Sequence, residues 1–242
     1  MKKMAIFVEG QTEQFFVTRL LIEIAGAKKV AIELKRFAGK GKPSLQVYAS
    51  GLVKPVQPQH GVLIYDCGGD ESVKTRIIEE HHNLFKQGYT EIIGLRDLFP
   101  VPDLAKLEAR LLHGLVHNGV RLEPMLPSGC SIVVAVQEIE AWFLAETHHF
   151  TCIAPLLDEA FITANQPSLG FNPYTDDMTS RSQPAQDLKN LYQLAGKSWN
   201  KKKSNLERTI DCLDYANLYF NLRYKIAKLD ELIGKIDRFL TL

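Results

Sequence analysis

The first 150 residues alternate short apolar runs with stretches of helical periodicity, and this alternation constrains the fold more than any other feature. Apolar runs of this length suit strands that are buried on both faces, and helices between them connect parallel neighbours. The pattern therefore predicts an α/β fold with a mostly parallel sheet flanked by helices. The predicted strands cover residues 4–8, 30–37, 62–65, 91–95 and 130–136.

Predicted helices fill the intervals between these strands. Thr12 is expected to cap the first of them, and Gly88 follows the helix that begins at Ser72. The sequence predicts helices over residues 13–25, 44–52, 72–86, 103–118 and 138–146.

The character of the chain changes after residue 150, where strand patterns stop. Residues 165–186 are rich in Asn, Pro, Ser, Thr and Asp, which predicts an irregular segment before the final helices. We therefore expect an α/β domain over residues 1–150 and a helical C-terminal part over 151–242 that packs on it. An apolar stripe in that part predicts either core packing or a dimer interface. Its members are Tyr215, Leu218, Tyr219, Leu222, Ile226, Leu229 and Ile233.

Composition excludes several classes of protein. Hydrophobic residues make up 45% and charged residues 24% of the 242, as in ordinary globular chains with a core. A formal net charge of +1 excludes a uniformly basic nucleic-acid coat. The first apolar run stops at Glu9, too early for a signal peptide. No apolar stretch reaches the roughly 18 residues that a membrane span requires.

The cysteines carry no metal or disulfide signature. Cys67, Cys130, Cys152 and Cys212 lie far apart, and none belongs to a CxxC pair. A cysteine zinc site and a disulfide scaffold are therefore not expected in a chain of this size. Together with the missing targeting signals, this predicts a cytoplasmic protein with reduced thiols.

Acidic side chains follow four of the predicted strands. Glu9, Asp66, Asp97 and Glu138 each stand just beyond an apolar run. If those strands are parallel neighbours, the four carboxylates converge at one edge of the sheet, where ligands of open α/β sheets bind. Clustered carboxylates repel one another unless a cation joins them, and oxygen ligands suit Mg²⁺ or Mn²⁺. The alternative is that each acid caps the helix after it or is simply solvated.

The sharpest motif is Glu-Gly-Gln-Thr-Glu at residues 9–13, directly after the first strand. Gly10 is expected to allow a tight turn into the helix, which would put Glu9 and Glu13 on one side of its first turn. With IIGLRD at 92–97, QEIEAWFLAE at 137–146 and the Pro-Ala-x-x-Leu-Lys pattern at 184–189, the chain resembles the Toprim superfamily. More narrowly, it resembles the Toprim-related DUF4276 family, which is similar to the overcoming-lysogenization-defect nucleases.

The resemblance implies roles for individual residues. Glu9 matches the first Toprim glutamate, Glu13 the second acid of that loop, and Asp97 the first Asp of the later DxD motif. Phe99 stands where that motif has its second Asp. Glu138 and Glu140 match the acidic pair of the EIEAW segment.

These matches imply Mg²⁺- or Mn²⁺-dependent phosphodiester chemistry on nucleic acid, most simply a nuclease. The predicted metal ligands are Glu9, Glu13, Asp66, Asp97, Glu138 and Glu140. Glu9 could also act as general base, and Arg96 would stabilise charge on the phosphoryl group, or else form an ion pair with Asp97 or Glu9. The resemblance further implies bacterial defence beside a separate ATPase. Loss of the second Asp leaves a different class open, a catalytically inactive interaction or nucleic-acid-binding module.

Lysines outside the acidic cluster are candidates for contacts with nucleic-acid phosphates. Lys40 and Lys42 lie in the predicted loop 38–44, and Lys201, Lys202 and Lys203 form a run. For the run, a solvated loop is the simpler interpretation, and phosphate binding, which Lys40 and Lys42 would extend, is the alternative.

Other features give weaker alternatives. His113 and His117 are four apart on a predicted helix, a spacing that zinc ligands use, although exposed histidines are the simpler interpretation. The segment from Asp66 to Asp70 predicts a turn or a phosphate cradle before a helix, where Cys67 could be reactive. Phosphate-ester hydrolysis on a small molecule also remains open.

Overall fold

A computed structural model describes residues 1–26, 29–38, 46–53, 55–69, 72–200 and 202–241. The strands of this described part are β1 (Lys2–Val8), β2 (Val30–Ala38), β3 (Gln46–Val53), β4 (His60–Asp66), β5 (Tyr89–Asp97), β6 (Leu115–His117), β7 (Val120–Glu123) and β8 (Cys130–Ala135).

Helices surround the sheet and make up the later part of the chain. The helices of the first 150 residues are α1 (Gln11–Ala25), α2 (Ser72–Lys86), α3 (Leu104–His113) and α4 (Glu140–Ala145). The later ones are α5 (His149–Ile153), α6 (Glu159–Ala164), α7 (Gln166–Leu169), α8 (Pro184–Gln193), α9 (Lys203–Cys212), α10 (Tyr215–Phe220) and α11 (Ala227–Thr241). Short 3₁₀ turns cover Met178–Ser180 and Leu222–Tyr224.

The main sheet has the strand order β3-β2-β4-β1-β5-β8. β1 pairs in parallel with β4 on one side and β5 on the other, so that Val8 lies opposite both Asp66 and Leu95. Five strands are parallel, helices flank them, and a helical C-terminal part follows. The predicted α/β fold is confirmed, and the four strands expected to be neighbours do lie side by side.

β1 is central because its sequence is apolar on both faces. Every residue from Met4 to Val8 is fully buried. On one face, β1 shares a core cluster with β4 and with Val73 and Ile77 of α2. An apolar run without alternation indicates a central strand that is buried on both faces. The parallel pairing of β1 with β4 and β5 aligns their carboxyl ends.

The prediction of a helix over residues 44–52 is wrong. Residues Gln46–Val53 form β3, which pairs antiparallel with β2, from Val53 opposite Ile32 to Gln46 opposite Ala38. The backbone of this segment forms its hydrogen bonds with a partner strand. Such pairing is long-range, so local periodicity does not predict it.

The helix predicted over 103–118 is also too long. α3 ends at His113, and Gly114 adopts a φ of 75°, after which the chain enters the β6–β7 hairpin. A Cβ at Gly114 would lie 2.3 Å from the carbonyl oxygen of Glu123, so only glycine fits this turn. His113 and His117 therefore do not share a helix face, and the zinc alternative that depended on that face is wrong.

The chain divides into two compact units. The first contains Met1–Val134 and Gly234–Leu242, and the second contains Ala135–Ile233. The second unit is helical in its described residues after β8, and its core includes Trp142, Phe143 and Tyr192. The domain boundary near residue 150 stays a prediction.

Six members of the apolar stripe, all except Tyr219, are buried within the chain. They belong to α10, to the 3₁₀ turn after it and to α11, with Ile226 just before α11, rather than to one continuous helix. Burial favours the core-packing interpretation over the dimer interface. Within the described residues, no helix combines the length and the apolar character that crossing a membrane would require.

The expectation of reduced thiols is wrong for one pair of cysteines. Cys152 in α5 and Cys212 in α9 form a disulfide, with their Cα atoms 5.6 Å apart. Packing of α5 beside α9 brings the two residues within disulfide range although 60 positions separate them. Cys67 and Cys130 are free thiols.

Candidate active site

Glu9 stands where three strands end together. Its Oε2 accepts a hydrogen bond from the backbone amide of Asp97 at 3.0 Å, and its carbonyl oxygen accepts one from Gly69 at 2.8 Å. The amide of Cys67 donates to the carbonyl oxygen of Val8. Glu9 thus links the carboxyl ends of β1, β4 and β5, and its carboxylate is held against the start of the loop after β5.

Asp66 ends β4 on the other side of Glu9. The residue is 1% exposed, and its Oδ1 accepts a hydrogen bond from the amide of Gly68 at 2.9 Å. Its Oδ2 is buried and receives no hydrogen bond from the described residues, although Arg36 Nε lies 3.3 Å away. Burial raises the pKa of the Asp66 carboxyl, and the Gly68 amide and Arg36 oppose that rise.

Glu13 is turned toward its own helix. It is buried, and its Oε2 accepts a hydrogen bond from the amide of Gly10 at 2.8 Å, which satisfies a donor at the start of α1. Gly10 itself, rather than Thr12, is the capping residue, and its backbone is extended with φ −157°. The turn therefore does not need the conformational freedom of glycine, and the reason given for Gly10 from the sequence is wrong.

The two glutamates of the EIEAW segment belong to the second unit. Glu138 precedes α4, and its Oε2 accepts a hydrogen bond from the amide of Ala185 at 2.9 Å, in the first turn of α8. Glu140 is 4% exposed in the first turn of α4. The contact of Glu138 joins the QEIEAW segment to the Pro-Ala-x-x-Leu-Lys segment.

Arg96 is buried next to the acidic edge of the sheet and forms a hydrogen bond to the backbone there. The residue is 7% exposed, and its Nε donates to the carbonyl oxygen of Asp97 at 3.0 Å. Among the described residues no carboxylate forms an ion pair with Arg96, so the expected pair with Asp97 or Glu9 is not formed there. The guanidinium lines a cavity that the sequence did not predict, together with the buried ammonium of Lys74.

The loop after β5 provides no second acid from the neighbouring positions. Phe99 is about half exposed, and Asp103 caps α3 by accepting a hydrogen bond from the amide of Lys106 at 3.0 Å. In the part of the chain that the structure describes, no group of three or more His, Cys, Asp or Glu residues is arranged to hold a metal ion. The metal assignments of Glu9, Glu13, Asp66, Asp97, Glu138 and Glu140 stay predictions.

The candidate phosphate-binding lysines are only partly within the described residues. Lys40, Lys42 and Lys201 lie outside them. Lys202 and Lys203 are exposed at the start of α9, and Lys203 Nζ lies 3.6 Å from Glu207 Oε1. Their role in binding nucleic acid stays a prediction.

Cys67 is not a reactive thiol. The residue is 4% exposed, and burial raises the pKa of its thiol well above the ordinary range. Because the thiolate is the nucleophile, a buried thiol of raised pKa is inert. The suggestion of reactivity at this position is wrong.

Comparison with known proteins finds one solved structure that is distantly similar to this chain. No protein-family model matches the chain, and no curated protein matches it. Among solved structures, the chain is similar to the hypothetical protein PH0156 from Pyrococcus horikoshii OT3, with 17% sequence identity and a TM-score of 0.46. The match covers 99% of this chain and 100% of that protein. Nothing about the activity of the present chain follows from that similarity.

Proposed function

We propose that the chain is a metal-dependent phosphodiesterase that hydrolyses nucleic acid at the carboxyl edge of its parallel sheet. The observation that carries the proposal is the hydrogen bond from the Asp97 amide to Glu9 Oε2. It holds the Glu9 carboxylate, which follows β1, beside the backbone of Asp97, the last residue of β5, and Asp66 ends the strand on the other side of β1. Ligands of open α/β sheets bind at such an edge.

The donor atoms are of the chemical type that suits a hard divalent cation, although Glu9, Asp66 and Asp97 are not arranged as a three-ligand group in this structure. Glu9, Asp66 and Asp97 provide only carboxylate oxygens, which Mg²⁺ and Mn²⁺ prefer. The Asp66 Oδ2 atom is buried and accepts no hydrogen bond from the described residues, and Arg36 Nε, 3.3 Å away, is the positive charge that an ion would join or replace there. When bound, such an ion activates a water molecule and stabilises the leaving oxygen of a phosphodiester.

The protein side chains have separate tasks in this proposal. Glu9 and Asp97 would hold the ion, and Glu9 could also accept a proton from the attacking water. Arg96 would stabilise negative charge on the phosphoryl oxygens, and its burial favours that task because a guanidinium attracts charge more strongly where water is excluded.

A second candidate function is a nucleic-acid-binding or interaction module without catalysis. The occupied cap at Asp103 and the aromatic side chain at Phe99 favour it, because the loop after β5 then contributes a single acid from Asp97. Such a module would bind oligonucleotides equally well with and without a divalent ion, and its affinity would fall steeply with added salt.

Calorimetric titration with Mn²⁺ tests the first proposal without any assumption about the substrate. We expect wild type to bind Mn²⁺, and both Glu9→Gln and Asp97→Asn to lose that binding. Asp103→Asn is the matched control, since Asn caps a helix as well as Asp does and this residue lies outside the proposed site.

Hydrolysis of single- and double-stranded DNA and RNA in Mn²⁺ or Mg²⁺ would then be measured on the same four proteins. Activity in wild type and Asp103→Asn alone supports the phosphodiesterase. Mn²⁺ binding that is absent, or unchanged in both site variants, would contradict it and leave the binding module.

A further inference from the structure

A cavity of about 560 Å³ lies in the first unit, between α2, α3 and the loop that follows β5. Its size is within the range of pockets that enclose small organic ligands. Apolar side chains form part of its wall, including Ile78 from α2, Val101 from the loop and Leu111 from α3. Apart from Thr75, the remaining wall is charged, and those charges decide what the cavity can hold.

Three cations and one carboxylate line the cavity. Arg110 and Glu123 neutralise each other, because Arg110 Nε donates to both Glu123 oxygens at 2.9 and 3.0 Å. Lys74 and Arg96 remain, and no carboxylate of the described residues forms an ion pair with either. The cavity therefore has a surplus of positive charge.

Both of these cations are buried. Lys74 is 9% exposed and Arg96 is 7% exposed. Lys74 Nζ donates one hydrogen bond, to the carbonyl oxygen of Arg110 at 2.7 Å, and Arg96 uses its Nε for Asp97. Two N–H bonds of the ammonium and the terminal nitrogens of the guanidinium remain for a ligand. Burial lowers the pKa of Lys74, and the charge of Glu123, which Arg110 already pairs, offsets only part of that loss of water.

Buried charges in proteins are ordinarily paired, since an uncompensated one destabilises the fold. A guanidinium and an ammonium at one cavity wall match the oxygens of a phosphate, which accepts a forked pair of hydrogen bonds from Arg and a point contact from Lys. We propose that this cavity binds a phosphate monoester, with the phosphate between Lys74 and Arg96 and the organic part against the apolar wall.

This site goes beyond the proposed function and does not depend on it, because phosphate binding here uses no metal ion. Arg96 connects the two, since it follows Leu95 in β5 and precedes Asp97, whose amide binds Glu9. The phosphate monoester could belong to a free mononucleotide or to the end of a nucleic-acid strand. Both ligands would present the same group to Lys74 and Arg96.

The test is calorimetry on the full chain in EDTA, with inorganic phosphate as the probe. We expect saturable binding to wild type that weakens at least tenfold in Lys74→Met and in Arg96→Met. Lys106→Met is the control, because Lys106 is an exposed lysine of α3 that does not line the cavity. Arg96→Lys serves in place of Arg96→Met if that variant does not fold, and it should retain part of the binding.

Two further arms distinguish the sources of the phosphate. Adenosine 5′-monophosphate is compared with adenosine, and a 5′-phosphorylated oligonucleotide with its 5′-hydroxyl form. A preference for the phosphorylated member of either pair that Lys74→Met abolishes supports the site and assigns its source. No phosphate binding by wild type, or equal binding by Lys74→Met and Lys106→Met, would overturn it. Since EDTA is present throughout, such a failure says nothing against the metal-dependent reaction.

Discussion

At the scale of single residues, burial separates the acids that build the fold from those that could act on a ligand. Glu146 is the clearest structural acid, fully buried in the second unit. Its Oε2 accepts hydrogen bonds from the amides of His149 and Asp214, both at 3.1 Å, and its Oε1 accepts from Asn217 Nδ2 at 2.9 Å. These contacts join α4, α5 and α10, so the carboxylate organises three helices rather than a reaction.

We predict that Glu146 makes the stability of the second unit depend on pH. Burial alone would raise the pKa of this carboxyl, but hydrogen bonds from His149, Asn217 and the Asp214 amide, together with the charge of His149, lower it overall. A lowered pKa in the folded state means that the carboxylate stabilises the fold above the unfolded pKa of about 4.3. That contribution is lost as the pH falls through the folded pKa.

Urea unfolding of wild type and Glu146→Gln from pH 7 to pH 3 would measure this effect. We expect the variant to be less stable at pH 7 by about 1–3 kcal/mol, because an amide nitrogen would face backbone donors. The difference should shrink as the pH falls. Glu159→Gln, an exposed acid of the same unit, is the control and should track wild type. A constant difference between Glu146→Gln and wild type at every pH would contradict the prediction.

Among the helices and strands, those whose conformation depends on local sequence pattern were predicted correctly. β1, β4 and β5 were found because strands buried on both faces must be apolar at every position, and α2 was predicted with its observed ends. β3 was missed because its conformation depends on pairing with β2. The end of α3 could have been recognised at Gly114, a glycine inside a helical pattern.

The candidate site divides in the same way. The positions of Glu9, Asp66 and Asp97 follow from strand ends, which the sequence marks. The cavity with Lys74 and Arg96 depends on how α2 and α3 pack beside β5. That packing is a long-range property, which no local sequence pattern reveals.

Gly94 fixes the distance between α2 and β5, and we predict that it tolerates no side chain. A Cβ there would lie 2.8 Å from Ile132 Cγ1, 2.9 Å from Val73 Cγ1 and 3.0 Å from Ile77 Cδ1. Gly94→Ala should therefore lower the free energy of unfolding by about 1–3 kcal/mol, the usual effect of overpacking a core.

Urea denaturation with Gly10→Ala as the control would measure this. A Cβ at Gly10 would meet nothing closer than Glu13 Oε2 at 3.4 Å, and its backbone is extended, so that variant should lose only the difference between Gly and Ala at an N-cap, about 0.5 kcal/mol. Equal stability of Gly94→Ala and Gly10→Ala would show that α2 can move away from β5, and the packing argument would then be wrong.

At the scale of the whole molecule, the two units are stabilised by different means. The first rests on a central apolar strand and the helices that cover its sheet. The second has a buried polar network around Glu146, Tyr192 and His149, and the Cys152–Cys212 disulfide. Composition and spacing could not predict that disulfide, because only the packing of α5 beside α9 brings the two cysteines together.

We predict that reducing this disulfide destabilises the second unit selectively. A crosslink between residues 60 apart restricts the unfolded chain, and loop-closure estimates for such a span give about 4 kcal/mol. A reductant should therefore lower the Tm of wild type, and the Cys152→Ser/Cys212→Ser double variant should start at that lower Tm and not respond to reductant. Hydrogen exchange should accelerate in α5 and α9, while β1 and β5 keep their protection, since the crosslink lies outside the first unit.

Thiol titration of the denatured, unreduced protein should find two thiols, from Cys67 and Cys130. Four titratable thiols, or a Tm that reductant leaves unchanged, would mean that the second unit folds without this crosslink and that its polar network holds α5 and α9 together.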